Sequence, residues 1–139
     1  MALHHCRSGE VARLGTLDDP ATRTAALARN ASFEAVHLVV RAGESIAPHQ
    51  VAGSMTLYCI AGHVRFEGGS PAELRTGDWL FLEPGARHAV EAVADSSLLL
   101  TILFDESDKR QAPDGAACRT CFSYRRGLSW ANIASFGGR

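Results

Sequence analysis

Residues 77–88 read GDWLFLEPGARH. A Gly-Asp pair opens the stretch, four apolar residues follow (Trp79 to Leu82), and Pro84-Gly85 turns the chain just ahead of His88. An apolar run of that length between turn formers reads as a short strand. The Pro-Gly turn sends the chain back toward the strand layer and takes the imidazole with it.

Upstream, residues 48–62 read PHQVAGSMTLYCIAG. A histidine follows a proline, a short loop follows, and an apolar strand runs into Gly62. Gly62 and Gly77 both fall where hairpins must reverse, and glycine tolerates the positive φ that such turns use. Further strands are predicted at 22–29, 33–41, 55–60, 64–66, 88–93 and 98–104, beside the one within 77–85. In the strand 33–41, Val36, Leu38 and Val40 share one face, while His37, Val39 and Arg41 share the other. His37 and His63 lie opposite the apolar parity of their strands and are expected to face outward. Turns recur about every eight to twelve residues, with no helical periodicity before residue 105, which predicts an all-β sandwich or barrel.

The chain has 139 residues, 46 % of them hydrophobic, enough for one domain with a real core. The charge is uneven. Residues 1–108 carry 8 Lys/Arg and 14 Asp/Glu, whereas residues 109–139 carry 6 and 1. Six spread basic charges read as a solvated segment, so no nucleic-acid partner is expected. No apolar run approaches the ~18 residues that span a bilayer. The N-terminus lacks the basic start and apolar block of a secretory signal, so a cytoplasmic location is expected, with reduced thiols at Cys6, Cys59, Cys118 and Cys121. Among hydrolase, P-loop and dinucleotide signatures, none of GxSxG, GxxxxGK[ST] or GxGxxG occurs.

The two histidine-bearing stretches resemble the paired motifs of the cupins, small double-stranded jelly-roll barrels. The family's first motif runs glycine, about five residues, His-x-His, three or four residues, Glu, six residues, Gly. This chain has Gly43, five residues, His49-Gln50-Val51, three residues, Met55, six residues and Gly62. His49 takes the first histidine position, Val51 the second and Met55 the glutamate position. The second motif runs Gly, a short strand, a Pro/Gly turn and His, and places His88 at its metal-ligand position. The likeness covers about residues 22–105, leaving an N-terminal arm (1–21) and a basic C-terminal extension (106–139). It implies an all-β double-stranded β-helix (jelly-roll) barrel that associates as a homodimer. Within the family the chain resembles short bacterial stand-alone barrels carrying H-x-V-x-G-x-x-T, for which activity is mostly unassigned.

A cupin metal site uses three His and one Glu, and this chain keeps two of the four. Parity along an extended segment groups His49, Val51, Met55, Leu57 and Cys59 on one pocket wall, with His88 joining from the second motif. His49 and His88 are the candidate metal ligands, for a divalent ion (Zn, Fe, Mn or Ni) held weakly or not at all, because catalytic sites use three protein ligands and an open position. Cys59 is either a rebuilt ligand or a core cysteine. Three function classes follow: a small-molecule-binding barrel, a cupin metalloenzyme of the dioxygenase, isomerase or lyase kind, and an interaction protein working through its tail. In that tail Trp130, Ile133 and Phe136 stand three apart, as on a docked helical turn. Cys118 and Cys121 form a lone CxxC, which with His4, His5 and Cys6 offers a weak zinc signature.

Overall fold

The computed structural model describes residues 5–104. The expectations for Trp130, Ile133, Phe136, Cys118, Cys121 and His4 lie outside those residues. Nine strands follow in order: β1 (Ala25–Arg29), β2 (Phe33–Val40), β3 (Ser45–His49), β4 (Ser54–Ala61), β5 (His63–Glu67), β6 (Ala72–Arg75), β7 (Trp79–Leu82), β8 (His88–Ala92) and β9 (Ser96–Leu103). They make two antiparallel sheets, β1-β2-β9-β4-β7 and β3-β8-β5-β6.

The seven strands read from the sequence all form, and two others were missed. Both missed strands lie at the edges of the second sheet. β3 (SIAPH) contains Pro48 and buries only Ile46; β6 (AELR) buries only Leu74. An edge strand needs few apolar residues and accepts proline, so neither shows the alternation that marks a strand.

The core lies between the sheets. The first sheet contributes Val36, Leu38, Val40, Met55, Leu57, Cys59, Leu98, Leu100 and Ile102; the second contributes Ile46, Val64, Phe66, Leu74, Val90 and Ala92. Each large side chain fully buried there stabilises the fold by about 1.5–3 kcal/mol before ordering costs. Gly62 and Gly77 have the predicted positive φ, +109° and +93°, but their turns are not the expected hairpins: each carries the chain from one sheet to the other.

The outer face of β2 and β9 is covered as well around His37, which corrects one expectation. His37 points away from the core, as its parity requires, yet it is only 2 % exposed and meets Ser97 Oγ at 2.6 Å through Nε2. Val39 and Ser97 are buried beside it. Alternation assigns a face, and only tertiary packing decides whether that face meets water. His63 is half-buried and faces Glu73 at 3.5 Å. The segment before β1 is clamped by Arg41, whose guanidinium donates to the carbonyls of Leu17, Asp19 and Thr22 and pairs with Asp95 at 3.4 Å. Cys6 and Cys59 are free thiols.

Candidate functional site

One end of the barrel carries both histidines of the paired motifs. The turn at Gly62 joins the sheets at the far end, where Ala61 pairs with Ser97 and Val64 with Ala92. His88 begins β8 at the opposite end. Its position is set by the predicted turn, in which Ala86 N–H donates to Glu83 O (3.2 Å) and Gly85 N–H donates to Val51 O (2.8 Å). The second bond ties the second motif directly to the loop of the first.

His49 reaches the same place through a bulge. Ser45 pairs with Glu91 and Ile46 with Val90, the register then shifts, and His49 stands opposite His88. Without the shift, an inward Ile46 would leave residue 49 facing outward, since side chains alternate. The single-wall parity read from the sequence is corrected here. The chain crosses from the second sheet to the first between His49 and Ser54, so His49 sits on one wall and Met55, Leu57 and Cys59 on the other.

The two rings are 4.3 Å apart between centroids, edge to face at 63°, and His88 also stacks on Phe66 at 5.7 Å and 15°. Each ring is held from behind. His49 Nδ1 lies 2.8 Å from Ala47 O, and His88 Nδ1 lies 2.9 Å from Ala86 O. A carbonyl oxygen only accepts, so each Nδ1 carries a proton and each neutral ring presents Nε2 as a lone-pair donor. Both Nε2 atoms are buried. Burial pushes the His88 pKa below its ordinary value against the opposing pull of the Ala86 carbonyl. Burial does the same to His49, aided by Arg87 and by the cost of protonating it beside a protonated His88, and opposed by the Ala47 carbonyl. A cleft of about 480 Å³, lined by Pro48, Gly68, Arg87 and His88 among others, opens beside the pair.

The remaining predicted residues separate. Val51 is half-buried against the core, while Met55, Leu57 and Cys59 are fully buried in it. Met55 is the first inward-facing residue of β4 from the histidine end. Cys59 lies four residues farther along β4, about 13 Å at ~3.3 Å per residue, with Sγ toward Gly62 O. Its thiol pKa is pushed up, first by burial and then by Asp78. Cys59 is therefore a core thiol at the wrong end to join the imidazoles. Among the described residues no three His, Cys, Asp or Glu side chains are placed to share a metal ion. The donor set found there is two imidazoles, which does not fit a site built on three protein ligands.

One polar residue was overlooked. Glu34 shares the inward parity of Val36, Leu38 and Val40, and it is 2 % exposed. A charged residue in phase with an apolar stripe is visible in the sequence, but the strand was read only through its valines and leucine.

No family model and no curated protein matches the chain by sequence. Solved structures do match by fold. A conserved protein of unknown function from Streptococcus pyogenes aligns with a TM-score of 0.62 and 17 % identity, over 76 % of this chain and 99 % of that one. An RmlC-like cupin family protein with a double-stranded β-helix fold from Methanocaldococcus jannaschii gives 0.58 and 13 %, over 68 % and 93 %. A cupin superfamily protein from Desulfitobacterium hafniense gives 0.57 and 19 %, over 59 % and 76 %. The fold is the cupin double-stranded β-helix. At these identities the likeness concerns architecture, and function has to be argued from the site.

Proposed function

We propose that this cupin barrel binds a small molecule against the His49–His88 pair, without a tightly held metal. The observation that carries the reading is the pair itself: two imidazoles 4.3 Å apart, each held from behind through Nδ1 by a backbone carbonyl. Convergent polar groups in an otherwise apolar wall are the usual make-up of a ligand site. A cupin metalloenzyme of the dioxygenase, isomerase or lyase kind is the second reading. It is favoured by the same carbonyl contacts, because metal-ligating histidines are commonly oriented through their second nitrogen.

Metal content of protein purified without an affinity tag separates the two. The first reading expects well under one Zn, Fe, Mn or Ni per chain, and no metal-dependent change in melting. About one metal per chain, lost in His88→Ala, would establish the second. Val51→His combined with Met55→Glu supplies the two missing donors and is expected to gain a metal-dependent rise in melting temperature; saturation at a hundredfold excess over Kd corresponds to about 2.7 kcal/mol. A folded double variant without that gain would break the motif alignment on which the site rests.

The partner we propose is a second copy of the chain. Tyr58, Trp79 and Phe81 are 40 %, 61 % and 48 % exposed, and the register places Tyr58 opposite Trp79 on one outer face, next to the β7 edge. Aromatics beside an open strand edge favour pairing across a two-fold axis. Trp79→Asp is expected to halve the mass measured by light scattering. A wild-type monomer at micromolar concentration would refute this.

A further inference from the structure

We propose that Glu34 is a recognition residue of this site and that the ligand carries a protonated amine. The inference rests on the reading of the barrel as a small-molecule binder and names the chemistry it selects. Glu34 is 98 % buried, and its Oε1 has no hydrogen-bond partner among the described residues. A buried carboxyl oxygen left in that state is costly unless a donor reaches it, so the position calls for a ligand group.

The register shows where that group would sit. Glu34 pairs with Ile102, Ile102 with Met55, and Met55 with Leu82, forming one row across the first sheet. The β2–β9 ladder has no bulge, so Glu34 keeps the inward phase of Val36, Leu38 and Val40. The row is the first inward-facing one of that ladder at the histidine end, because Val40 and Ser96 mark the other end, beside the Gly62 turn. Glu34 thus enters the barrel from one sheet, and the imidazole pair enters the same end from the other.

Charge and hydrogen-bond sense narrow the ligand. The two Nε2 atoms are acceptors, and the carboxyl adds further acceptor capacity on the opposite wall. A ligand meeting both must bring donors. Among the described residues no three such groups are placed to share one metal ion, so the ammonium is assigned to Glu34 and is not shared with both imidazoles. An alkylammonium has three N–H donors, a positive charge for Glu34, and a hydrocarbon part suited to Met55, Ile102 and Leu82.

The test uses the full-length chain with n-butylammonium and, as an uncharged probe of similar size, 1-butanol, at pH 7.5. Affinities come from calorimetry, and the site from the shift of the Glu34 side-chain carboxyl resonance. Butylammonium is expected to bind at least tenfold tighter than butanol and to move that resonance. Glu34→Gln should lose at least tenfold for the amine and leave butanol unchanged. Glu34→Asp, which keeps the charge, should lose less and covers the case in which the glutamine variant folds poorly. Equal binding of amine and alcohol, no amine binding at all, or an unchanged affinity in Glu34→Gln would overturn the proposal. If in that event carboxylates or neutral polyols raise the melting temperature of wild type but not of His88→Leu, the binding site stands and only Glu34's role falls. If no probe of any class depends on His88, the small-molecule reading falls too.

Discussion

Gly62→Ala is expected to destabilise the barrel by about 2–5 kcal/mol, lowering the melting temperature by at least about 8 °C at ~4–8 °C per kcal/mol. Two independent causes add. The backbone at Gly62 has φ of +109°, a region in which a Cβ costs roughly 1–2 kcal/mol. A Cβ built there would also lie 2.4 Å from Asp95 O and 2.6 Å from Ser96 Cα. Those are backbone atoms of the turn into β9, so relief requires moving a central strand and adds a further ~1–3 kcal/mol. Ser96 Oγ, which accepts from His63 N–H at 3.0 Å and donates onward to a backbone carbonyl, would be displaced as well. Gly69→Ala is the control. Its φ is not in the positive range and nothing lies within 4 Å of the added carbon, so melting should stay unchanged or rise slightly. Equal melting of the Gly62 and Gly69 variants would contradict the described turn.

Stability is expected to fall steeply as the pH drops below 6.5. Burial lowers the pKa values of His37, His49 and His88 from 6.5, and at His49 Arg87 and repulsion from a protonated His88 add to the effect. In the unfolded chain these groups take up protons around pH 6.5, whereas the folded chain resists until the lower values are reached. Unfolding therefore binds protons, and stability rises with pH through that window. The contribution is complete above pH 6.5 and is lost as pH falls toward the folded-state values. For the two 2 %-exposed rings, His37 and His88, the slope reaches about 1.4 kcal/mol per pH unit each. Half-buried His49 adds in the same direction. Asp95 acts in a separate window: its carboxylate is held low chiefly by the Ala42 N–H and also by Arg41, so its share disappears only as the pH falls below 3.8. Denaturant unfolding at pH 7.5, 6.0 and 5.0 measures the slope. His37→Gln and His88→Gln should each flatten it, and a pH-independent wild type over that range would show that the imidazoles are not buried neutral.

Much of the barrel was legible because its signals are local. Turn residues at Gly62, Gly77 and Pro84-Gly85 dictate where the chain reverses, and alternation in 33–41 dictates which side chains face inward. His49 and His88 could be named because their spacing from those turns is a property of sequence. Their juxtaposition could not. It depends on the β3 bulge, a register shift chosen by pairing with β8, and on the Gly85–Val51 hydrogen bond between segments more than thirty residues apart.

Tertiary structure alone also separated Cys59 from the imidazoles. Parity puts residues 49 to 59 on one face only while the chain stays in one sheet, and this chain changes sheets between His49 and Ser54. His37 was assigned its correct face but the wrong environment, since burial of an outer face depends on what packs over it. Glu34 lies between the two cases. Its inward phase was written in the strand, but its place at the histidine end follows from the order β2-β9-β4 and the direction in which β2 runs. Local sequence determined the turns, the strand faces and the identity of the paired imidazoles. Long-range pairing decided which of those faces meet, because strand register is selected by contacts between residues far apart in the chain.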